Sequence, residues 1–168
     1  IPDQKNKVFI VTGPTSGLGF DTSRILAKKN AIVVMAARDV RKAEKVKKEI
    51  VGENKTAKLD IKELNLADLN SIQNFSELIK KKYMSIDCLI NNAGIIACPY
   101  SKTKDGFEIQ MGTNHLGHYA LTGLLLPLLQ SKSNSKVINI SSIAHRSGRI
   151  NFEDLGWEKR KYRTWSAY

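Results

Sequence analysis

Three glycines, Gly13, Gly17 and Gly19, follow directly on the apolar run Val8-Phe9-Ile10-Val11, in the order Thr12-Gly13-Pro14-Thr15-Ser16-Gly17-Leu18-Gly19. A strand that feeds such a turn, with a helix opening from it, brings backbone N–H groups and the positive end of a helix dipole to one point, where a phosphate can sit. The spacing is G-x-x-x-G-x-G, not the tighter G-x-G-x-x-G of other dinucleotide folds. On its own it also fits a plain strand-to-helix turn. Other small polar groups recur downstream: Asn65, Asn91-Asn92-Ala93-Gly94, Asn114, Ser141-Ser142 and Tyr168. Singly, these too have ordinary uses, since a serine after a strand is a common turn residue and Asn114 could simply hydrogen-bond a neighbouring strand.

Hydrophobic periodicity predicts the elements that must position these groups. Val8–Val11 reads as a buried strand, and Leu18, Thr22, Ile25 and Leu26 recur at helical spacing behind the glycine turn. The run from Ala31 to Ala37 is continuous, short and β-branched, hence a second buried strand. Ala43, Val46 and Ile50 stripe a lysine-rich helix that Gly52 is expected to end. Ala57, Leu59 and Ile61 alternate with Lys58, Asp60 and Lys62, as suits the edge of a sheet. A helix through Ile72, Phe75, Ile79 and Tyr83 precedes a fourth strand at Ile86–Ile90, which runs into Asn91. A long helix is expected from about Gly106 to Gln130, then a fifth strand at Val137–Ile140; from Gly148 to Trp165 the pattern fades into a loop. Alternating β and α units imply parallel strands with crossover helices. The expected architecture is therefore α/β: an open, doubly wound parallel sheet in a single domain over residues 1–168. Ligands of such sheets lie beyond the carboxyl ends of the strands, where the glycine turn, Ala37-Arg38, Asn65, Asn91 to Gly94 and Ser141-Ser142 fall.

Composition narrows the alternatives. The 168 residues are 42% hydrophobic, as in a soluble globular domain, and no run approaches the roughly 18 apolar residues of a membrane helix. The net charge of +11 invites a nucleic-acid reading, but the lysines are spread over helix-like segments (Lys28-Lys29, Lys42 to Lys48, Lys80 to Lys82), with no arginine-rich arm or aromatic-basic interleaving. No metal-ligand spacing is present. Cys88 and Cys98 form no motif and read as reduced thiols. The chain starts Ile1-Pro2-Asp3 and meets its first strand within a few residues, without a secretory leader. A cytoplasmic protein is expected, or one on the cytosolic face of a membrane if an anchor has been removed.

Taken in series, Thr12-Gly13-x-x-x-Gly17-x-Gly19, Asn91-Asn92-Ala93-Gly94, Asn114, Ser142 and Tyr168 resemble the short-chain dehydrogenase/reductase family over essentially the whole chain. Asn114-His115-Leu116-Gly117-His118-Tyr119 and Ser141-Ser142-Ile143-Ala144-His145-Arg146 resemble its retinol-dehydrogenase-like branch. The resemblance implies a Rossmann-like sheet, truncated here after its fifth strand in a domain incomplete at its C-terminus, and hydride transfer between a nicotinamide cofactor and a small hydrophobic alcohol, aldehyde or ketone. It implies that Ser142 binds and polarises the substrate oxygen, that Tyr168 donates or accepts the proton, and that Asn114 holds a water in the proton relay and bends the long helix. The cofactor would lie on Gly13, Thr15, Ser16, Gly17, Leu18 and Gly19, with Arg38, Asn65, Asn92, Ala93 and Gly94 around it.

NADP(H) is the expected cofactor. An NAD-selective site places a carboxylate at the end of the second strand, on the ribose 2′-hydroxyl; here that position is Ala37. Arg38 follows, offering a planar fork of donors to a 2′-phosphate, and Asp39 reads as the N-cap of the next helix.

Three departures from the family stand out. Asn65 replaces the usual adenine-binding aspartate, and Pro14 removes one N–H from the turn. The third is the family's lysine, four residues beyond the tyrosine, whereas Tyr168 is the last residue here. A phenol titrates near pH 10, and bringing one to neutrality needs a shift of roughly three units, about 4 kcal/mol, to which that lysine contributes in relatives. The chain as given is therefore expected to be a catalytically inactive fragment; the alternative is a non-catalytic NADP(H)-binding or regulatory module. Relatives pair through the long helix and the helix after the tyrosine, so a homodimer is an expectation for a longer form and not for these residues alone.

Overall fold

Side-chain alternation along the strands divides the core in two. The computed structural model covers residues 1–168. Strands β1 (Val8–Thr12), β2 (Ile32–Ala37), β3 (Lys58–Glu63), β4 (Cys88–Asn91) and β5 (Lys136–Asn139) form one parallel sheet in the order β3-β2-β1-β4-β5. Successive residues of a strand point to opposite faces. On one face Val8, Ile10, Val34, Ala36 and Leu89 pack against α3 (Leu69–Lys82) through Ile72, Phe75 and Ile79, and against α4 (Gly117–Gln130) through Leu121, Leu125 and Leu129. On the other, Val11, Val33, Met35, Cys88 and Ile90 meet Leu26 and Ala27 of α1 (Gly17–Lys28) and Ile50 of α2 (Val40–Glu53). Burial of each such aliphatic side chain stabilises the fold by roughly 1.5–3 kcal/mol. This is the expected doubly wound, Rossmann-like sheet, with β3 at one edge.

Local signals set the helix ends. Asp39 caps α2 by accepting from the Lys42 amide at 3.0 Å. Asp68 caps α3 through the amides of Asn70 and Ser71, and Lys80, Lys81 and Lys82 fill its last turn, where positive charge complements the helix dipole.

Two boundaries differ from expectation. Gly52 lies inside the last turn of α2, and Asn54 ends that helix: its side-chain Nδ2 donates to the Ala27 carbonyl at 3.0 Å and its side-chain oxygen accepts from the Thr56 amide. Nor does the long helix begin at Gly106. Gly106 has φ +87 and turns a short hairpin whose arms meet at Lys102 and Glu108. The Glu108 carboxylate then accepts from the amides of Gln110 and Met111 and starts the helix there. Met111–Leu116 is a π-helical turn that leads directly into α4. Asn114, the expected site of a bend, lies within this π turn.

The segment read as a loop from Gly148 is organised by buried polar contacts, not by a period. Asp154 accepts from the Glu158 and Lys159 amides. The Tyr162 hydroxyl donates to Glu108 at 2.7 Å and accepts from Gln110 at 2.8 Å. A short helix, α5 (Thr164–Ala167), follows. No helix is long and apolar enough to cross a membrane.

Candidate functional site

The carboxyl ends of β1 to β4 open into a cleft of about 520 Å³. It lies where the chain switches sides of the sheet, with β2 on one flank of β1 and β4 on the other, the place where such sheets bind ligands. One wall is the glycine turn. Gly13 has φ +64, and a Cβ there would come within 2.9 Å of the Ala93 backbone. At Gly19 a Cβ would overlap the Gly13 carbonyl and the Asn92 side chain. Asn92 locks this approach, since its side chain donates to the carbonyls of Thr12 at 2.9 Å and Gly13 at 3.3 Å. The amides of Asn92 and Ala93 both donate to the Thr12 hydroxyl at 2.9 Å. The loop after β4 and the turn after β1 are therefore one structure, held by Thr12 from beneath.

Several polar groups around the cleft have no protein partner. Ser16 sits at the N-cap of α1 without a side-chain capping bond, and no acidic residue occupies the first turn, so the helix's positive end faces the cleft uncompensated. Arg38 and Lys42 both line the cleft, and neither joins any of the ion pairs of the molecule. The Asp39 carboxylate between them is tied to the Lys42 amide, which holds its pKa below the usual carboxylate range. Thr113 lines the cleft too, with its hydroxyl buried and unpartnered. Asn65 uses its side-chain oxygen on the Ala67 amide at 3.1 Å, and its side-chain nitrogen has no protein partner. Unpaired cations, a bare helix end and an orphan hydroxyl fit an anionic, polar ligand such as a dinucleotide.

The residues expected to do chemistry are less closely gathered. The Asn114 side chain spans the Ile95 backbone, accepting from its amide at 2.9 Å and donating to its carbonyl at 2.8 Å. Ser142 caps a short 3-10 turn over Ile143–Arg146 by accepting from the Ala144 amide. Neither side chain lines the cleft, although Ile140, two residues before Ser142, does. Tyr168 ends α5, edge-on to Trp165, and lines a second, basic cleft with His145, Arg149 and Arg160. Gly13, Thr15, Ser16, Leu18, Arg38, Asn65, Asn92, Ala93 and Gly94 thus share one cleft, Gly17 and Gly19 frame its turn, and Tyr168 stands in another.

Lys42 and Thr113 escaped the sequence reading. Lys42 lies in the first turn of α2, whose N-cap Asp39 follows Arg38, and only the direction of that helix brings it to the cleft. Thr113 carries no signal beyond its position before Asn114.

Residues 7–153 match the family model for short chain dehydrogenases. The chain belongs to this family. Retinol dehydrogenase 13 of Homo sapiens is 45% identical over 162 residues, covering 96% of this chain and 49% of the relative. Retinol dehydrogenase 12 of Mus musculus is 46% identical over 154 residues, covering 92% and 49%. The chain thus spans about half the length of the curated relatives it matches. Among solved structures, an uncharacterized protein from Mycobacterium paratuberculosis superposes with TM-score 0.86 at 45% identity, over 100% of this chain and 58% of the other. A short chain dehydrogenase from Escherichia coli CFT073, solved with NADPH, gives TM-score 0.78 at 24% identity, over 98% and 65%, which bears on the fold alone. The family and its retinol-dehydrogenase-like branch agree with the resemblance read from the motifs.

Proposed function

We propose that these residues form the dinucleotide-binding unit of an NADP(H)-dependent oxidoreductase acting on a hydrophobic alcohol, aldehyde or ketone of retinoid, steroid or lipid type. The observation that carries the cofactor reading is the pair Arg38 and Lys42, free of ion pairs at the end of β2, where Ala37 leaves no carboxylate to repel a 2′-phosphate. Arg38 supplies the planar fork and Lys42 a second point charge. Ser16 and the first turn of α1 receive the pyrophosphate, and Asn65 and Thr113 receive the adenosine end. The nicotinamide, when bound, supplies or accepts the hydride. In a longer chain Ser142 would hold the substrate oxygen, and Tyr168, which stands in the second cleft here, would exchange its proton once brought beside it, while Asn114 steadies the loop at Ile95. The substrate class is supported by relatives named as retinol dehydrogenases.

The 168 residues alone are proposed to bind the dinucleotide with little or no turnover, because the lysine that the family places beyond the tyrosine is not among them. The test is NADPH-dependent reduction of a hydrophobic aldehyde by residues 1–168 and by a longer chain that includes the lysine. Turnover by the longer chain alone supports the reading; equal turnover by both defeats the inactive part of it. NADPH binding with no turnover by either favours the second reading, a regulatory dinucleotide-binding module.

A further inference from the structure

His118 lies in α4 beneath the cleft and is buried, with both ring nitrogens engaged. Nδ1 is 2.9 Å from the Asn114 carbonyl oxygen, and Nε2 is 2.9 Å from the Thr12 hydroxyl. The tautomer follows from the partners. A carbonyl oxygen only accepts, so Nδ1 carries the proton and donates it to Asn114. Nε2 is then bare and must accept. Thr12 has one proton to give; its alternative acceptor, the Ile90 carbonyl, is at 3.4 Å, so the hydroxyl donates to His118. Both lone pairs of that hydroxyl are already taken, by the amides of Asn92 and Ala93.

We infer that His118 is the positioning residue of the dinucleotide cradle: as a neutral imidazole protonated on Nδ1, it fixes the Thr12 hydroxyl under the Asn92–Ala93 loop and ties that loop to the π turn carrying Asn114. The inference rests on the cleft being a dinucleotide site. Four separate parts of the chain meet in this chain of bonds: the end of β1, the loop after β4, the π turn and α4. Asn114 extends it to Ile95, so the ring also sets the height of the loop above the cleft floor.

Protonation breaks the arrangement. An Nε2–H would face an oxygen with no lone pair left, and either the histidine contact or one of the two amide contacts must open. Burial disfavours the charged ring and lowers the His118 pKa below its ordinary value of 6.5; the Asn114 carbonyl opposes this, and His115, on the same helical stretch, is the titratable neighbour that adds to it. The group bonded to the ring from β1, Thr12, is neutral. With a depressed folded pKa, the cradle is intact above about pH 6.5 and loosens as pH falls through the folded value.

The test compares wild type, His118→Gln and His118→Leu. Gln keeps an acceptor for Thr12 without titrating; Leu keeps neither bond. In amide hydrogen exchange without cofactor, protection of Asn92 and Ala93 is expected to fall about tenfold or more in the Leu variant and to be largely retained in Gln. In NADPH titrations by fluorescence, the dissociation constant is expected to rise about tenfold for Leu. The ligand's 2′-phosphate also titrates near pH 6, so the pH readout is the ratio of wild-type to Gln affinity between pH 7.5 and 5, which should fall only with wild type's own loss. Unchanged Asn92 and Ala93 protection in the Leu variant overturns the inference; should Leu fail to fold, a Gln variant whose NADPH affinity falls with pH as steeply as that of wild type overturns it. Wild type that shows the exchange effect but binds no NADPH overturns the cofactor reading instead.

Discussion

β2 and β5 are both short, apolar, parallel strands of one sheet, yet they live in different surroundings. β2 lies between β1 and β3 and is covered on both faces, with five of its six residues buried. All four residues of β5 are exposed, and Val137, Ile138 and Ile140 keep 38%, 43% and 47% of their surface. The other edge, β3, alternates Lys58, Asp60 and Lys62 along its length, charges that discourage pairing. Such charges are absent from β5 between Val137 and Asn139, which leaves it an apolar ribbon bonded along one side. The two strands show where stability resides: the cradle is built on the half of the sheet that is closed, whereas Ser142 and Tyr168 hang from the half that is open.

The largest effects should separate these halves. Leu89→Ala, in the fully buried heart of β4, is expected to cost about 2–5 kcal/mol in urea unfolding, against less than about 1 kcal/mol for Ile138→Ala on β5. Equal losses would mean that β5 is buried in solution. Next comes Arg38→Asp, which removes a fork of donors and adds a repelling charge. NADPH affinity should fall about a hundredfold, about 2.7 kcal/mol, while NADH affinity changes little in parallel titrations; equal losses would refute the 2′-phosphate reading. Lys42→Ala should act in the same direction but by less than about tenfold, as a single exposed charge does.

Smaller still is the effect on the open half itself. Tyr162 clasps residues 150–168 to the helix start at Glu108 and Gln110, and Tyr162→Phe should cost about 1–1.5 kcal/mol. Exchange protection should drop between 150 and 168 and hold in β1 to β4. Burial, together with the Glu108 carboxylate that accepts its hydroxyl, pushes the Tyr162 pKa up to about 12. A raised folded pKa places its stabilisation fully below about pH 10 and removes it as pH rises through about 12. Urea midpoints of wild type and Tyr162→Phe should therefore converge over that window; a constant gap would show that the clasp does not depend on the phenolic proton.

Most of the closed half was legible in the sequence because its signals are local. Continuous apolar runs marked β1, β2 and β4, and the glycine spacing marked the turn, each set by short-range sterics and burial. Helix starts were harder: Gly106 read as part of a helix because the Glu108 carboxylate that begins it bonds to backbone amides no periodicity reveals. Lys42 joins Arg38 only once α2 fixes its direction. His118 stood in the Asn114–Tyr119 motif without any sign of its bonding role, since its partners Thr12 and Asn114 come together only through the tertiary fold. For the segment after Gly148, long-range contacts such as Tyr162 with Glu108 replace pattern altogether.

The sheet also sorts its side chains into two populations that do not meet. Ile10 belongs with Leu125 on one face, and Met35, on the next strand over, belongs with Ile50 on the other. Shared packing makes mutational effects interdependent, while separation makes them additive. Over evolutionary time, a change at Ile10 would thus restrict what is tolerated at Leu125, more than a hundred positions away along the chain, and leave Met35 free to drift.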